Sequence, residues 1–283
     1  AYVRAWQGNT EGTITINNKP YRGAIKIVPT ATGGMMLINE VTMEDYLYGV
    51  VPVEVSPSWP QEAIKAQAVA ARTYALYNMK QSAAKAYDTE VDSNFQSYRG
   101  QAAEYSSTNK AVDDTKGMVI QYKGEPILAV FHSNAGGYTE NSENVWGSNL
   151  PYLRGVKDYT DYAQSGDSFA WTVKLTRAEM ETKLKAAGKD VGTLKEIKLS
   201  TLRARPMKFT DRGVSGRVLT ADFVGDKKTI TLTGDTIKKI FGLKSTLFDF
   251  YVNVNAPSTA DSFKNPKAYH TSVSYTHLTL PTN

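Results

Sequence analysis

The sequence contains no cysteine, which excludes disulfides, thiolate metal sites and a cysteine nucleophile. Histidine is almost as scarce. Of His132, His270 and His277 only the first lies in the body of the chain, too few imidazoles for a multi-histidine metal centre. No stretch approaches the ~20 apolar residues that cross a bilayer, and the N-terminus lacks the charged, then apolar, then small-residue pattern of a secretory signal. The chain starts at Ala1 without a methionine, so a trimmed export signal stays compatible with that lack. There is no P-loop, no G-x-G-x-x-G after a strand, no H-E-x-x-H and no G-x-S-x-G elbow, and those chemistries are set aside. Dense basic runs are missing too. Beyond Lys227-Lys228 and Lys238-Lys239 the cations are scattered, so a net charge of +5 and a pI near 9.0 carry little nucleic-acid signature. They suit a membrane surface or an anionic cell wall instead.

What is present is a chain of 283 residues, 41% hydrophobic and 11% aromatic, enough for a large core in one big domain or two intimate ones. The first forty residues alternate like short antiparallel strands with a turn at Asn17-Asn18. Thr42 and Asp45 resemble a capping box, and Met43, Tyr46, Leu47 and Val50 follow at helical spacing. Pro52 and Pro57 predict that this helix ends near Val50 and that Val51 to Ser58 is a loop holding Glu54. Ser58 and Gln61 predict the cap of the next helix, whose small residues Ala63, Ala66, Ala68, Ala70, Ala71 and Ala75 suit a central position with close neighbours. Further on, the pattern predicts a helix over 107–115, a hairpin around Lys123-Gly124 and a long binding loop after His132. After these it predicts a helix capped by Thr176, strands near 197–202, 218–224 and 229–232, a helix at 236–241 and a strand at 247–254. The fold class is α+β: antiparallel sheets with a central Ala-rich helix lining a substrate cleft. Residues 256–273 read as linker and 274–283 as a non-native, adapter-derived tail.

Glu54 stands among Val50, Val51, Pro52, Val53, Val55, Pro57 and Trp59, surroundings that desolvate a carboxyl and raise its pKa towards the range of a general acid. The plain alternative is a solvated loop carboxylate or a helix cap. Trp59, Tyr98, Tyr138, Trp146 and Tyr152, with Gln96 and Asn134 beside them, have the flat faces and planar polar groups that a glycan groove uses, although such aromatics are also ordinary core residues. Arg72 can orient a carboxylate, of Glu54 or of a substrate, by a bidentate contact, or form a structural salt bridge.

The run Gly49-Val-Val-Pro-Val-Glu54, followed by Trp59-Pro-Gln-Glu-Ala-Ile-Lys-Ala-Gln-Ala-Val-Ala-Ala-Arg-Thr-Tyr74-Ala, resembles the hallmark segment of the SpoIID/LytB family. Gln96-Ser-Tyr98-Arg-Gly100, Phe131-His-Ser-Asn-Ala-Gly-Gly137-Tyr-Thr-Glu140 and Ser215-Gly-Arg-Val218 extend the likeness, which covers about residues 20–253 of a domain drawn over 1–255. The resemblance implies action outside the cytoplasm on peptidoglycan glycan strands. In the sporulation branch it implies a lytic transglycosylase that cleaves MurNAc-GlcNAc bonds in strands stripped of stem peptides, with its catalytic glutamate on Glu54; Arg72, Gln96, Tyr98, His132, Asn134 and Tyr138 are read as the substrate-binding residues. In the other branch it implies an amidase enhancer that works with a separate cell-wall amidase. Some members bind zinc through Cys and His, but Ala135 and Tyr138 stand where those members carry ligands, so no metal and no cofactor is expected.

Overall fold

The computed structural model describes residues 2–4, 6–7, 10–82, 84–88, 96–132, 135–158, 170–252 and 270–276. The chain is α+β with antiparallel sheets, and it divides into two compact units, Ala1–Phe131 and His132–Pro281.

In the first unit Ala24–Pro29 is the middle strand of a three-stranded antiparallel sheet, flanked by Tyr2–Arg4 and Met35–Glu40. Ile14–Ile16 and Lys19–Tyr21 form a hairpin whose turn residues Asn17 and Asn18 both take positive φ, the conformation that a two-residue turn of this hand requires. Three helices follow: α1 (Met43–Glu54), α2 (Gln61–Gln81) and α3 (Ser106–Asp114). Leu47, Val50 and Val51 of α1, Ile64, Ala68 and Ala71 of α2, and Ala111 and Val112 of α3 share one core. The alanines let α1 and α3 both approach α2, which gives the Ala-rich helix its central place in this unit.

Several boundaries differ from expectation, among them the strand expected at 197–202, which is Leu194–Lys198. The start of α2 is Gln61 with Pro60 as its N-cap, and no side chain caps it: Ser58 pairs with Ser56, while Gln61 donates from Nε2 to the Ser107 carbonyl at 3.0 Å. Gln61 is thus drawn into a tertiary contact with α3 rather than into a capping box. The predicted hairpin around Lys123-Gly124 is present but short, Gln121–Tyr122 against Glu125–Pro126.

The second unit contains α4 (Ser142–Trp146), α5 (Arg177–Ala186) and α6 (Gly234–Phe241). The Thr176 capping box with Glu179 opens α5 as its sequence predicts. Thr220–Gly225 is the central strand between Leu194–Lys198 and Thr229–Thr233. A second sheet places His270–Thr276 between Ala170–Thr176 and Asp249–Val252. That strand takes in the end of the stretch read as linker and the start of the one read as tail. The core of this unit gathers Met180, Leu184, Phe223, Ile237 and Phe248, all fully buried.

Candidate active site

The backbone that carries Glu54 is a helix, not the loop that Pro52 predicts. Thr42 Oγ1 accepts from the Asp45 N–H at 3.2 Å and donates to Asp45 Oδ2 at 2.7 Å, which fixes the N-terminus of α1. The helix then runs through Pro52 to Glu54. Proline is tolerated there because it sits in the last turn, where its missing N–H removes a single bond, and the Val55 N–H closes the turn on the Val51 carbonyl at 3.0 Å. Burial of Leu47, Val50 and Val51 holds the rest.

Glu54 is therefore the final residue of α1, at the negative end of the helix dipole, with no basic residue in the last turn. Its side chain is half-buried, and among the described residues its hydrogen bond comes from the Ser97 N–H to Oε1 at 3.2 Å. Desolvation raises the carboxyl pKa above its ordinary value, and the Ser97 N–H opposes that only in part. The terminal carbonyls of α1 add to the same upward push. A half-buried acid with one neutral donor is suited to holding a proton and giving it up when the carboxylate is stabilised by that donor.

The donor belongs to an extended stretch, 96–100, that lies along α1. The Arg99 N–H reaches the Gly49 carbonyl at 3.2 Å, and the Tyr98 ring covers Gly49 so closely that a Cβ there would sit 2.6 Å from Tyr98 Cε2. Tyr98 stacks on Tyr46 with ring centroids 5.3 Å apart and donates its hydroxyl to Asn39 Oδ1 at 2.9 Å. Burial then pushes the phenol pKa far up. Gln96, 1% exposed, accepts from the Tyr46 hydroxyl at 3.1 Å and donates from Nε2 to the Ala71 carbonyl at 3.2 Å. Gln96 and Tyr98 are thus turned inwards and hold the stretch that presents Ser97 to Glu54.

Arg72 is also inside. It is 2% exposed, and its bidentate partner is Glu44, at 2.7 Å from Nη2 to Oε2 and 3.2 Å from Nε to Oε1, rather than Glu54. Further donations go to the Val112 carbonyl at 3.0 Å and the Met118 carbonyl at 3.2 Å. One guanidinium thereby ties α1, α2 and the end of α3 together. Glu44 as its partner was not recognisable from sequence, since the two are 28 residues apart; the only signal was an arginine on an otherwise small-residue helix.

A cavity of about 700 Å³ in this unit has Asn39, Tyr46, Tyr98, Met36, Met79 and Tyr87 among its walls. Glu54 is not one of them.

His132 and Tyr138 belong to the second unit, and Asn134 lies outside the described residues. The loop they start is clamped from inside the same unit. Arg217 donates from Nη2 to the Ala135 carbonyl at 3.1 Å and from Nη1 to the Tyr138 carbonyl at 3.2 Å, and Arg205 bonds the Gly136 carbonyl. Glu140 accepts from Ser215 Oγ at 2.5 Å, the Asn141 N–H at 2.8 Å and Asn144 Nδ2 at 2.9 Å. Two of the motifs read from the sequence, 131–140 and 215–218, are therefore two halves of one hydrogen-bonded structure. His132 is exposed. Desolvation, and then the Arg217 charge, lower its pKa against the opposite pull of Asp158. Among the described residues no group of three or more His, Asp or Glu is placed to hold a metal ion.

Comparison with known proteins agrees with this layout. Residues 31–122 match the family described as stage II sporulation protein, SpoIID, and 153–269 match a domain of unknown function, DUF8618, so one match falls in each unit. An uncharacterized protein of Brachyspira hyodysenteriae is 42% identical over 176 residues, 62% of this chain and 47% of that protein. The amidase enhancer of Bacillus subtilis is 40% identical over 177 residues, 62% of this chain and 23% of that protein. The stage II sporulation protein D of the same organism is 29% identical over 235 residues, 73% of this chain and 68% of its own length. The chain thus spans less than half the length of the first two relatives. Through residues 31–122, which hold Glu54, Arg72, Gln96 and Tyr98, it is similar to the SpoIID family.

Proposed function

We propose that this chain acts on bacterial cell wall outside the cytoplasm, as a lytic transglycosylase that cleaves MurNAc-GlcNAc bonds in peptidoglycan glycan strands with Glu54 as its acid and base. The observation that carries the reading is the state of Glu54: a half-buried carboxyl at a helix C-terminus, raised in pKa and touched by one backbone N–H. Protonated Glu54 donates to the glycosidic oxygen, which leaves as the C4 hydroxyl of GlcNAc. The carboxylate then accepts the proton of the MurNAc C6 hydroxyl while that oxygen bonds to C1, and water is not consumed. Ser97 N–H is in position to hold the carboxylate between the two transfers.

A hydrolase needs a second carboxylate within ~5–9.5 Å. The acids closest in sequence are engaged elsewhere: Glu44 with Arg72, Asp45 in the α1 cap and Glu62 with Lys65 on an exposed turn. Asp92 lies outside the described residues, and Glu140 is saturated by Ser215, Asn141 and Asn144. Intramolecular attack by the C6 hydroxyl supplies the nucleophile at high effective concentration and asks for one carboxyl only.

The test is digestion of stem-free glycan strands in oxygen-18 water with mass spectrometry of the new ends. The expected products are 1,6-anhydroMurNAc ends without label. Labelled reducing ends would mean hydrolysis. The 40% identity to a protein named amidase enhancer favours a second reading, a wall-binding partner of a separate amidase. Strand binding without any cleavage, together with stimulation of an added amidase, is the result that selects it.

A further inference from the structure

We infer that the second unit binds a phosphodiester polymer of the cell wall through a lysine surface formed where the chain leaving α5 meets the hairpin turn 225–228, in the other unit from Glu54. The polymer's origin in the wall rests on the cell-wall reading above; the binding itself does not. Charge is divided unequally between the units. His132–Pro281 holds 21 Lys and Arg against 15 Asp and Glu, a net charge of +6, whereas the rest of the chain holds 12 against 13, a net charge of −1. The whole excess of +5 therefore belongs to the unit that contains the DUF8618 match, and such an asymmetry marks a module that meets a polyanion.

Within that unit the backbone gathers five of the lysines. The Lys189 N–H closes the end of α5 on the Leu184 carbonyl at 2.8 Å. The hairpin turn then docks on the next segment: the Asp226 N–H reaches the Thr193 carbonyl at 3.1 Å, the Lys227 N–H the Val191 carbonyl at 3.1 Å, and the Thr193 N–H returns to Asp226 Oδ1 at 2.8 Å. Only glycine fits at 192, because a Cβ there would collide with Asp226 Oδ1. Asp190 accepts from the Gly192 N–H and from Lys227 Nζ, both at 2.9 Å. The Lys227 bond holds the Asp190 carboxyl below its ordinary pKa, with a further push from the Lys185 charge. The Thr193 N–H does the same for Asp226, with further pushes from Lys195 and Lys227. Both acids are thus committed to building the platform, while Lys189 and Lys228 adjoin it in the chain. Lys185, Lys189, Lys195, Lys227 and Lys228 are all exposed, and among the described residues only Lys227 of the five has an ion pair.

The chemistry of the patch chooses among polyanions. It is built of lysine alone, point charges that suit phosphates spaced along a flexible chain, and it lacks the arginine forks and stacking aromatics that serve nucleic-acid binding. None of the exposed large apolar side chains belongs to 183–195 or 225–228, so nothing there would enter a bilayer as an interfacial segment does.

The experiment measures the affinity of the intact chain for poly(glycerol phosphate) at about 50 and about 200 mM NaCl, beside double-stranded DNA and phosphatidylcholine–phosphatidylglycerol vesicles at equal phosphate. The polymer is expected to bind more tightly than either, and to lose about 10-fold or more in affinity across that salt step, since each phosphate contact releases counterions. Lys189→Gln, Lys195→Gln and Lys228→Gln together should weaken polymer binding by about 10-fold or more and flatten its salt dependence. Lys19→Gln, Lys116→Gln and Lys123→Gln remove the same charge from exposed sites of the first unit and should change it by less than about twofold. Arginine at 189, 195 and 228 keeps the charge and should keep the binding. No polymer binding in low salt overturns the inference, as do equal losses in the two glutamine triples, loss in the arginine triple, or tighter binding of DNA or vesicles. Glu54→Gln should bind the polymer like the wild type whether or not the wild type cleaves glycan strands, so failure of the transglycosylase reading shows separately.

Discussion

At the scale of single residues the sign of the Glu54 perturbation makes a stability forecast. A carboxyl whose native pKa is raised keeps its proton over a pH range in which the unfolded chain, at the ordinary value of 4.5, has already released it. The native state is therefore favoured below that range and loses stability as pH climbs through the raised value. Glu54→Gln has no proton to lose, so its thermal midpoint should match the wild type at acid pH and exceed it at neutral pH. An equal gap at both pH values would mean that the Glu54 pKa is not raised in the native state. In activity the same variant should fall by about 10²–10⁴, the usual worth of a general acid. Gly49 gives a second residue-level outcome. Helix propensity alone predicts that Gly49→Ala stabilises α1 by about 1 kcal/mol. The new Cβ would instead lie 2.6 Å from Tyr98 Cε2 and 3.1 Å from the Gly100 carbonyl, and the ring is pinned by Tyr46 and Asn39. Overpacking of about 1–3 kcal/mol should win, and the melting temperature should drop by a few degrees. A Gly49→Ala protein more stable than wild type would show that the stretch 96–100 yields freely.

At the scale of elements, Arg72 separates what the pattern of residues could disclose from what it could not. Helix spacing and small residues made α2 legible as a central helix, and Thr42 and Thr176 announced their caps, because each of these signals is local. The apolar neighbours of Glu54 likewise betrayed a desolvated carboxyl. Pro52 misled: proline breaks helices on average, but in the last turn it removes one bond, and the buried Val50 and Val51 outweigh that loss. The partner of Arg72 was not legible at all, because Glu44 is brought to it by packing of α1 on α2. Removing one side of a buried pair strands the other charge, at a cost of about 3–5 kcal/mol. Arg72→Ala is accordingly expected to unfold the first unit or lower its melting temperature steeply. Arg72→Lys should rescue only part of that, since an ammonium cannot span both Glu44 oxygens and the Val112 and Met118 carbonyls. Near-wild-type melting with weakened strand binding would return Arg72 to the substrate.

At the scale of the whole molecule the described residues form two hydrophobic cores with no side chain in common. One is built from Leu47, Val50, Val51, Ile64 and their neighbours up to Val112, the other from Trp171 through Phe248. The family matches divide the same way, 31–122 and 153–269. Composition left one large domain or two intimate ones open, since total apolar content does not say how many clusters it forms. Separate cores act as separate cooperative units when neither supplies contacts that the other needs, and distant substitutions then add independently. Calorimetry of the intact chain should therefore resolve two transitions. Leu47→Ala and Phe223→Ala each empty a fully buried site, at about 2–5 kcal/mol for leucine and 3–5 for phenylalanine. Leu47→Ala should lower one transition and Phe223→Ala the other, and the double variant should show both shifts undiminished. A single transition displaced by either substitution would mean that the two cores melt as one, and that the unit carrying Glu54 depends on the DUF8618 region for its stability.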